Sequence, residues 1–281
     1  MKKLAVLGHP ISHTLSPVMH NASIKALGLD GQYEYGKLDV PPGGLMARLA
    51  QLPAEGYAGV NLTIPLKEVA FKGLKNLADS ARILGAVNTV EFTAGGLVGH
   101  NTDGYGFLKA LEEAFGKTLE GDAVFVLGCG GAGRAAALMA ALDGAQSITL
   151  ADVDAGRVEN LSAEIEQLAP QVGIFQCLEK ITQIELCREA DLVIQASPVG
   201  MKKTDPSLLP EEAFREGQRA FDLIYMYPET AFLSTAKAAG AQIANGLGML
   251  LHQGAKAFNI WTGIEPDVAA MRKALEKAVY P

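Results

Sequence analysis

Cysteine is scarce. Cys129, Cys177 and Cys187 are the only three in 281 residues. An odd number at wide spacing makes neither a disulfide framework nor a zinc-type ligand set. Reduced thiols in a cytoplasmic protein without a metal are expected. Long apolar runs are also missing: the longest, Ala135 to Leu142, falls far short of the roughly 20 residues that a bilayer demands. Positive charge is not in excess, since 24 Lys+Arg stand against 31 Asp+Glu and leave a net charge of −7. That balance lacks the basic footprint of a nucleic-acid binder. Met1 to Leu7 imitates the head of a signal peptide, but Gly8-His9-Pro10 cuts it short and no small-residue cleavage site follows. It is expected to be a first strand. No repeat or low-complexity segment stands out.

Apolar residues, by contrast, make up 49% of the chain, which excludes intrinsic disorder. The length suffices for two modest domains, each with its own core. Strand and helix patterns alternate. Leu4 to Gly8 is expected as a buried strand, and Ser16-Pro17 as a helix start with Ser16 at the N-cap and an apolar face of Val18, Ala22, Ala26 and Leu29. Strands follow at 32–40 and 57–64, with a helix at 45–52 between them. Residues 67–84 are expected to be helical in two pieces that break near Gly73. A hairpin over 88–100 turns at Ala94-Gly95-Gly96. A helix runs from Asn101 to about Phe115. Beyond it come strands at 122–127, 147–151, 191–195 and 220–224, and helices from Arg134, at 157–168, 247–261 and 268–279. The alternation implies α/β domains with parallel sheets covered on both faces, and the last two helices are expected to return to the first domain.

Gly128, Gly130 and Gly133 fit G-x-G-x-x-G between a strand and a helix, with a further strand ending at Asp152. Glycines there permit a tight turn and close backbone approach. The helix start, Gly131 and Ala132 included, offers N–H groups to a pyrophosphate. Asp152 lies where a carboxylate accepts bonds from ribose hydroxyls and repels a 2′-phosphate. Asp154 adds negative charge and Val153 supplies no cation, so NAD is favoured over NADP. The alternative is that Arg157 turns back to hold a phosphate.

Nicotinamide chemistry also needs a proton donor and acceptor at the reacting carbon. Lys67 follows Asn61-Leu62-Thr63-Ile64-Pro65-Leu66, at a strand end where a helix begins, and such a position destabilises an ammonium. Asp103, at the start of the next long helix, is its candidate partner. Thr14 and Ser16 stand at a helix start suited to an anion. Thr63, Asn88 and Asn101 sit at element ends facing the same crevice. His9, His13, His20, His100 and His252 are read as capping or loop hydrogen bonders rather than ligands.

Taken together, these segments resemble the shikimate dehydrogenase family along nearly the whole chain. The residues that carry the likeness are, in order, Gly8-His9-Pro10-Ile11-Ser12-His13-Thr14-Leu15-Ser16-Pro17, then Asn61 to Glu68, Gly85-Ala86-Val87-Asn88-Thr89 and Asn101-Thr102-Asp103-Gly104. The nucleotide loop Gly128 to Arg134, Asp222-Leu223-Ile224-Tyr225 and Asn245 to Gln253 complete the set.

The resemblance implies an N-terminal α/β substrate domain over 1–102, to which 245–281 returns. It implies a Rossmann-type, doubly wound dinucleotide-binding domain over 103–244. Reversible NAD(P)H-dependent reduction of 3-dehydroshikimate to shikimate is the implied reaction, in a cleft between the domains. Lys67 and Asp103 would be the acid/base pair. Thr14 and Ser16 would hold the substrate carboxylate, and Thr63, Asn88, Tyr225 and Gln253 would contact the ring. Gly128, Gly130, Gly131, Ala132, Gly133, Asp152, Val153, Asp154, Leu223 and Gly246 would hold the cofactor. The implied partners are small molecules (shikimate, 3-dehydroshikimate, quinate in the alternative), with no nucleic acid or membrane, in a monomer or homodimer.

The chain departs from the family pattern at four places. Thr14 stands where Ser is usual, so an added methyl narrows the pocket. Cys129 stands where Ala is usual, and Gln195 where Asn is usual. Asp152-Val153-Asp154 replaces the Asn-Arg-Thr run of NADP users and looks like the NAD-preferring quinate/shikimate branch. The alternatives are thus an NAD-dependent quinate/shikimate dehydrogenase of catabolism and, from another class, a non-catalytic nicotinamide-binding regulator. A regulator has no need of Lys67 and Asp103.

Overall fold

A computed structural model describes residues 1–280, with the backbone alone at Lys180 and Ile181. Pro281, the last residue of the expected C-terminal segment, lies outside the described residues. The first part of the chain runs β1 (Lys2–Gly8), α1 (Ser16–Ala26), β2 (Tyr33–Asp39), α2 (Leu45–Gln51), β3 (Tyr57–Leu62), α3 (Leu66–Gly73), β4 (Asn76–Leu77), α4 (Asp79–Leu84), β5 (Thr89–Thr93) and β6 (Gly96–His100). Then come α5 (Asp103–Phe115), β7 (Ala123–Leu127), α6 (Gly131–Leu142), β8 (Ser147–Ala151), α7 (Ala155–Leu168), β9 (Gly173–Gln176), α8 (Lys180–Glu189), β10 (Leu192–Gln195), β11 (Arg219–Asp222), α9 (Ala231–Ala238) and β12 (Gln242–Asn245). Helices α10 (Leu247–Thr262) and α11 (Val268–Val279) end the chain. Packing divides it into two compact units, Met1–Gly106 with Leu250–Val279, and Phe107–Met249 with Tyr280. Two crossings fall inside helices, α5 and α10, and a third lies between Val279 and Tyr280, just past α11.

The first unit is built on a six-stranded sheet in the order β2-β1-β3-β5-β6-β4. Successive side chains of β1 point to opposite faces. Leu4 and Val6 meet Ile24, Tyr35, Phe258 and Trp261, while Ala5 and Leu7 meet Val60, Leu45, Leu49 and Leu66. Both faces are therefore covered. The expected parallel sheet is mixed here: β1 pairs in parallel with β2 and β3, whereas β5 runs antiparallel to both β3 and β6. The tight turn at Ala94-Gly95 accounts for the β5–β6 pairing, because so short a link joins only antiparallel strands. Trp261 of α10 reaches this sheet and donates to Val90 O (3.1 Å).

Other local expectations also change. Ser16 is the first residue of α1 rather than its N-cap, which is Leu15, with no side-chain cap. The buried face of α1 is Met19, His20, Ser23 and Ile24, and Val18 is exposed. Helix α1 packs under α11 and the sheet, so the small and polar residues Ser23 and His20 go inside. The break near Gly73 holds a two-residue strand, β4, paired with β6. Sequence periodicity also misses β9, α8, α9 and β12, short elements on the flank of the second sheet.

The second unit has an all-parallel sheet in the order β12-β11-β10-β7-β8-β9. Renumbered from β7, that is the 3-2-1-4-5-6 order of a doubly wound fold, with its switch point between β7 and β10. Among the described residues no helix is long and apolar enough to cross a membrane.

Candidate functional site

In the first unit, chemistry gathers at the carboxyl ends of β3 and β6. Strand β3 stops before the cis Ile64–Pro65 bond, and α3 begins at Leu66, so Lys67 stands on a first helical turn. Its Nζ lies 2.7 Å from Asp103 Oδ2. Asp103 opens α5, where Asn101 Oδ1 accepts from its backbone N–H (2.9 Å) and Asn101 Nδ2 donates to Ala86 O (3.0 Å). Lys67 is about one-third exposed and Asp103 less, at 30% and 18% of their side chains. A substrate therefore has access to both.

Asn88 is buried beside Asp103. Thr102 N–H donates to Asn88 Oδ1 (2.8 Å). A backbone N–H can only donate, so this contact fixes which end of the amide is oxygen. Asn88 Nδ2 therefore faces Asp103 Oδ1 (2.9 Å), with Thr102 Oγ1 at 2.9 Å and Gln253 Oε1 at 3.4 Å. Gln253 is oriented in turn by donating to Leu250 O (2.9 Å).

The network continues inward. Thr89 Oγ1 donates to Asn88 Oδ1 (2.9 Å), Asn61 Nδ2 donates to Thr89 Oγ1 (3.0 Å), and Tyr35 donates to Asn61 Oδ1 (2.6 Å). Burial holds the Tyr35 phenol well above its ordinary pKa, against the opposing effect of the Ser16 hydroxyl. Ser16 is itself buried, and Thr14 Oγ1 stands 3.4 Å from its Oγ. Lys67, Asn88, Asp103 and Gln253 are thus directly joined, and Ser16 connects to them through Tyr35, Asn61 and Thr89. Thr63 sits at the same strand end, its N–H bonded to Leu7 O (2.9 Å). Sequence reasoning missed Tyr35 as a member, and quoted Asn61, Thr89 and Thr102 only within motifs. The available signal was a lone polar residue inside an apolar strand, as Asn61 is after Val60.

His20 stacks on Tyr35, with ring centroids 4.1 Å apart and planes 7° from parallel. Neither ring nitrogen makes a well-formed hydrogen bond. Burial pulls its pKa down to about 3, and the Asn61 side chain offsets this only in part. The expected capping or loop role does not hold for this histidine.

In the second unit, backbone rather than side chains makes the site. Helix α6 starts at Gly131, earlier than expected, so the glycines form its first turn, and no side chain caps it. A Cβ on Gly133 would fall 1.8 Å from Gly128 O, and one on Gly128 (φ +101°) would fall 2.7 Å from Ser197 N. At Gly131 a Cβ would meet nothing within 4 Å. The loop is closed where it packs on the sheet and open at the helix start, which suits a bound pyrophosphate.

Asp152 Oδ2 accepts from Cys129 N–H (2.7 Å) and its Oδ1 from Asp154 N–H (2.9 Å), which ties the end of β8 to the glycine loop. Val153 is fully exposed. Asp154 caps α7 by accepting from Gly156 N–H (3.0 Å) and pairs with Arg157 (3.4 Å). The negative charge that Asp154 adds is therefore partly compensated. The Arg157 guanidinium also reaches to 4.0 Å from where a Gly130 Cβ would stand. Cys129 is buried. Burial, with Asp152 nearby, pushes its thiol up to about 12, so it is no reactive nucleophile at neutral pH. Gln195 knits the turn after β10: Ser197 N–H donates to its Oε1 (2.8 Å), and its Nε2 donates to Val199 O (2.6 Å). Gly246 lets β12 close on β11, since a Cβ there would lie 2.2 Å from Leu223 O. No group of metal-ligating side chains occurs among the described residues.

A doubly wound sheet with this loop, in a chain that also carries a Lys–Asp pair, defines a dinucleotide-dependent oxidoreductase class. The model of the shikimate dehydrogenase substrate binding domain matches residues 6–90, and that of the shikimate 5'-dehydrogenase C-terminal domain matches residues 246–276. A shikimate dehydrogenase (NADP(+)) of Methanopyrus kandleri is 40% identical over 277 residues, 97% of this chain and 94% of that protein. A solved shikimate dehydrogenase in complex with NADP+ superposes with a TM-score of 0.90 at 35% identity, over 100% of this chain and 96% of the other. The shikimate 5-dehydrogenase of Listeria monocytogenes, solved with shikimate and NAD, superposes at 0.89 with 33% identity, over 98% and 96%. The chain belongs to the shikimate dehydrogenase family.

Proposed function

We propose that the chain catalyses the reversible, nicotinamide-dependent reduction of 3-dehydroshikimate to shikimate in aromatic amino-acid biosynthesis. The supporting observation is the contact between Lys67 Nζ and Asp103 Oδ2 at 2.7 Å. Bound nicotinamide supplies or accepts the hydride at C3. The Lys67 ammonium gives its proton to the oxygen on that carbon as negative charge develops there, and takes it back in the oxidation. Asp103, held by Asn88 and Lys67, accepts from a substrate hydroxyl and keeps the ammonium aimed.

Thr14, Ser16, Thr63, Asn88 and Gln253 are the proposed substrate contacts. Tyr225 is added on the family resemblance alone. The first unit takes the substrate, following the expected 1–102 and 245–281 segments, and the second takes the dinucleotide. Gly128 to Gly133 would hold the pyrophosphate and Asp152 the adenosine ribose, with Val153 and Asp154 flanking it. Leu223 and Gly246 would line the nicotinamide end.

For the cofactor we propose NAD ahead of NADP, because Asp152 puts a carboxylate where a 2′-phosphate would stand. Arg157, close to the loop, narrows that margin. The same residues, with the Thr14 methyl, favour quinate use as the second reading. We further propose a cytoplasmic monomer or homodimer.

Specificity constants for shikimate and quinate, each with NAD+ and NADP+, test these assignments. Faster turnover of shikimate with NAD+ is expected. Preference for NADP+ would overturn the charge argument at Asp152 and leave the enzyme class standing. Comparable quinate turnover would favour the second reading. No turnover with either acid would sink the proposed reaction.

A further inference from the structure

The sheet order divides the dinucleotide site. With the glycine loop after β7 and Asp152 after β8, an adenosine half belongs on the β8 side of the switch point. The nicotinamide half then belongs over the ends of β10, β11 and β12. Two segments meet there, 223–229 after β11 and 245–246 before α10. Asp222 pins the first at both ends: its Oδ1 accepts from Ile224 N–H (3.0 Å) and its Oδ2 from Thr230 Oγ1 (2.5 Å).

Tyr280 joins the two segments. This residue lies beyond α11 and packs with the second unit. Its hydroxyl donates to Tyr225 O (3.0 Å) and accepts from Asn245 Nδ2 (2.8 Å). The same Nδ2 donates to Tyr227 O (3.2 Å) and Pro228 O (3.1 Å), and Asn245 Oδ1 accepts from Leu247 N–H (3.0 Å). A single phenol thus bridges a backbone carbonyl in one segment to the side chain that starts the other. The residue after Asn245 is Gly246, which packs against Leu223 O.

We infer that Tyr280 is a positioning residue for the nicotinamide half of the dinucleotide site. The inference rests on assigning the dinucleotide to the second unit. Tyr280→Phe keeps the ring and removes the bridge. Tyr225 O loses its donor, and Asn245 keeps its other two acceptors. The segments loosen without a loss of fold, and the effect falls on one half of the ligand.

The test is a set of binding titrations on the full chain, the Tyr280→Phe variant and a chain ended after Val279. The probes are NADH or NADPH, whichever binds the wild type tighter, and its adenosine phosphate half alone. Both variants are expected to bind the reduced dinucleotide about fivefold more weakly, the equivalent of one hydrogen bond. Binding of the adenosine half should stay within about twofold, inside the scatter of a peripheral substitution. Equal weakening of both probes would mean a merely structural role and would overturn the inference, as would unchanged dinucleotide binding. Wild-type protein that bound neither probe would overturn the dinucleotide assignment and the inference with it.

Discussion

The two units solve the problem of holding a polar group in opposite ways. In the first, the Lys67–Asp103 pair is held by side chains. Asn88 anchors Asp103, Thr102 N–H and Thr89 anchor Asn88, and Asn61 and Tyr35 stand behind them. In the second, the loop at Gly128–Gly133 works by having almost no side chains, and its neighbours are backbone atoms of Gly128 and Ser197. A side-chain network tolerates loss of its outermost member, because the anchors remain. The backbone cradle tolerates no added atom at Gly128 or Gly133, where it packs on the sheet.

Lys67→Ala should show the largest effect and the cleanest split. The pair is part-exposed, so its loss costs little stability, under about 1 kcal/mol. Asp103 stays in place through Asn88. Turnover should nonetheless fall by roughly 10²–10⁴, with a much smaller change in KM, because the proton matters in the transition state. Steady-state kinetics and a thermal melt check both halves. Near-normal kcat would remove Lys67 from the acid/base role.

Gly133→Ala tests the other architecture. Its methyl would overlap Gly128 O, a backbone atom with nowhere to go. Strain of about 1–3 kcal/mol is expected in stability, along with at least about tenfold weaker dinucleotide binding, since a 1.4 kcal/mol distortion already gives that factor. Unfolding curves and a fluorescence titration with the reduced cofactor measure the two effects. If the affinity held while stability dropped, the glycine would serve helix packing and not the ligand.

The contrast also explains what was legible in the sequence. Glycines at 128, 130 and 133 act through local spacing between a strand and a helix, so the loop could be read directly. Lys67, Asn88, Asp103 and Gln253 come from segments up to 186 positions apart, and only tertiary packing brings them together. Before the family resemblance, Lys67 and Asp103 were a candidate pair and Asn88 an element end on the same crevice, while Gln253 entered with the resemblance alone. Tyr35 and Thr89 looked like ordinary strand residues, because strand periodicity says which face a residue takes and not which partner it meets. The same limit explains the misread face of α1. There the pattern favoured Val18 and Ala22, but the surface beneath is the aromatic group of Tyr35, Phe258 and Trp261, which takes Met19 and His20. In the dinucleotide unit Asp152 follows β8 directly, as the strand pattern implied. Its hydrogen bonds to Cys129 and Asp154 were not foreseeable, whereas Arg157 near the loop was the alternative that the sequence offered.

Asp152→Asn should have a smaller effect than Gly133→Ala, because it changes charge and leaves shape. Its Oδ1 and Oδ2 each accept one backbone N–H. An amide retains only one of these bonds as an acceptor, so some loss with both cofactors is expected. The informative quantity is the ratio of kcat/KM for NAD+ over NADP+. It should move toward NADP+ by about tenfold if a carboxylate repels the 2′-phosphate there, one unit of charge being worth roughly 1–2 kcal/mol at a part-exposed site. A ratio that did not move would give the cofactor choice to Arg157.

The smallest effect concerns His20, behind the side-chain network. Its pKa is held at about 3, against 6.5 when unfolded, so between those values the unfolded chain binds a proton that the folded chain refuses. Stability is therefore complete above about pH 6.5 and falls as the pH drops toward 3, by up to about 1.4 kcal/mol per unit. Asp222 works in the opposite sense. Burial raises its carboxyl to about 6 from 3.8, so its contribution is present below 3.8 and is lost as the pH rises through 6. Between about 3.8 and 6 the two slopes oppose each other. His20→Phe keeps the stack on Tyr35 and removes two nitrogens that lack good partners. Its stability at pH 7 should match or slightly exceed that of the parent, since a buried unpaired polar group is costly. Its denaturation midpoint should hardly change between pH 7 and 6, and should respond between 6 and 4 with the sign set by Asp222. An acid slope identical to the parent's would mean that water or a neighbour pairs the imidazole, and that the first unit's network extends through His20.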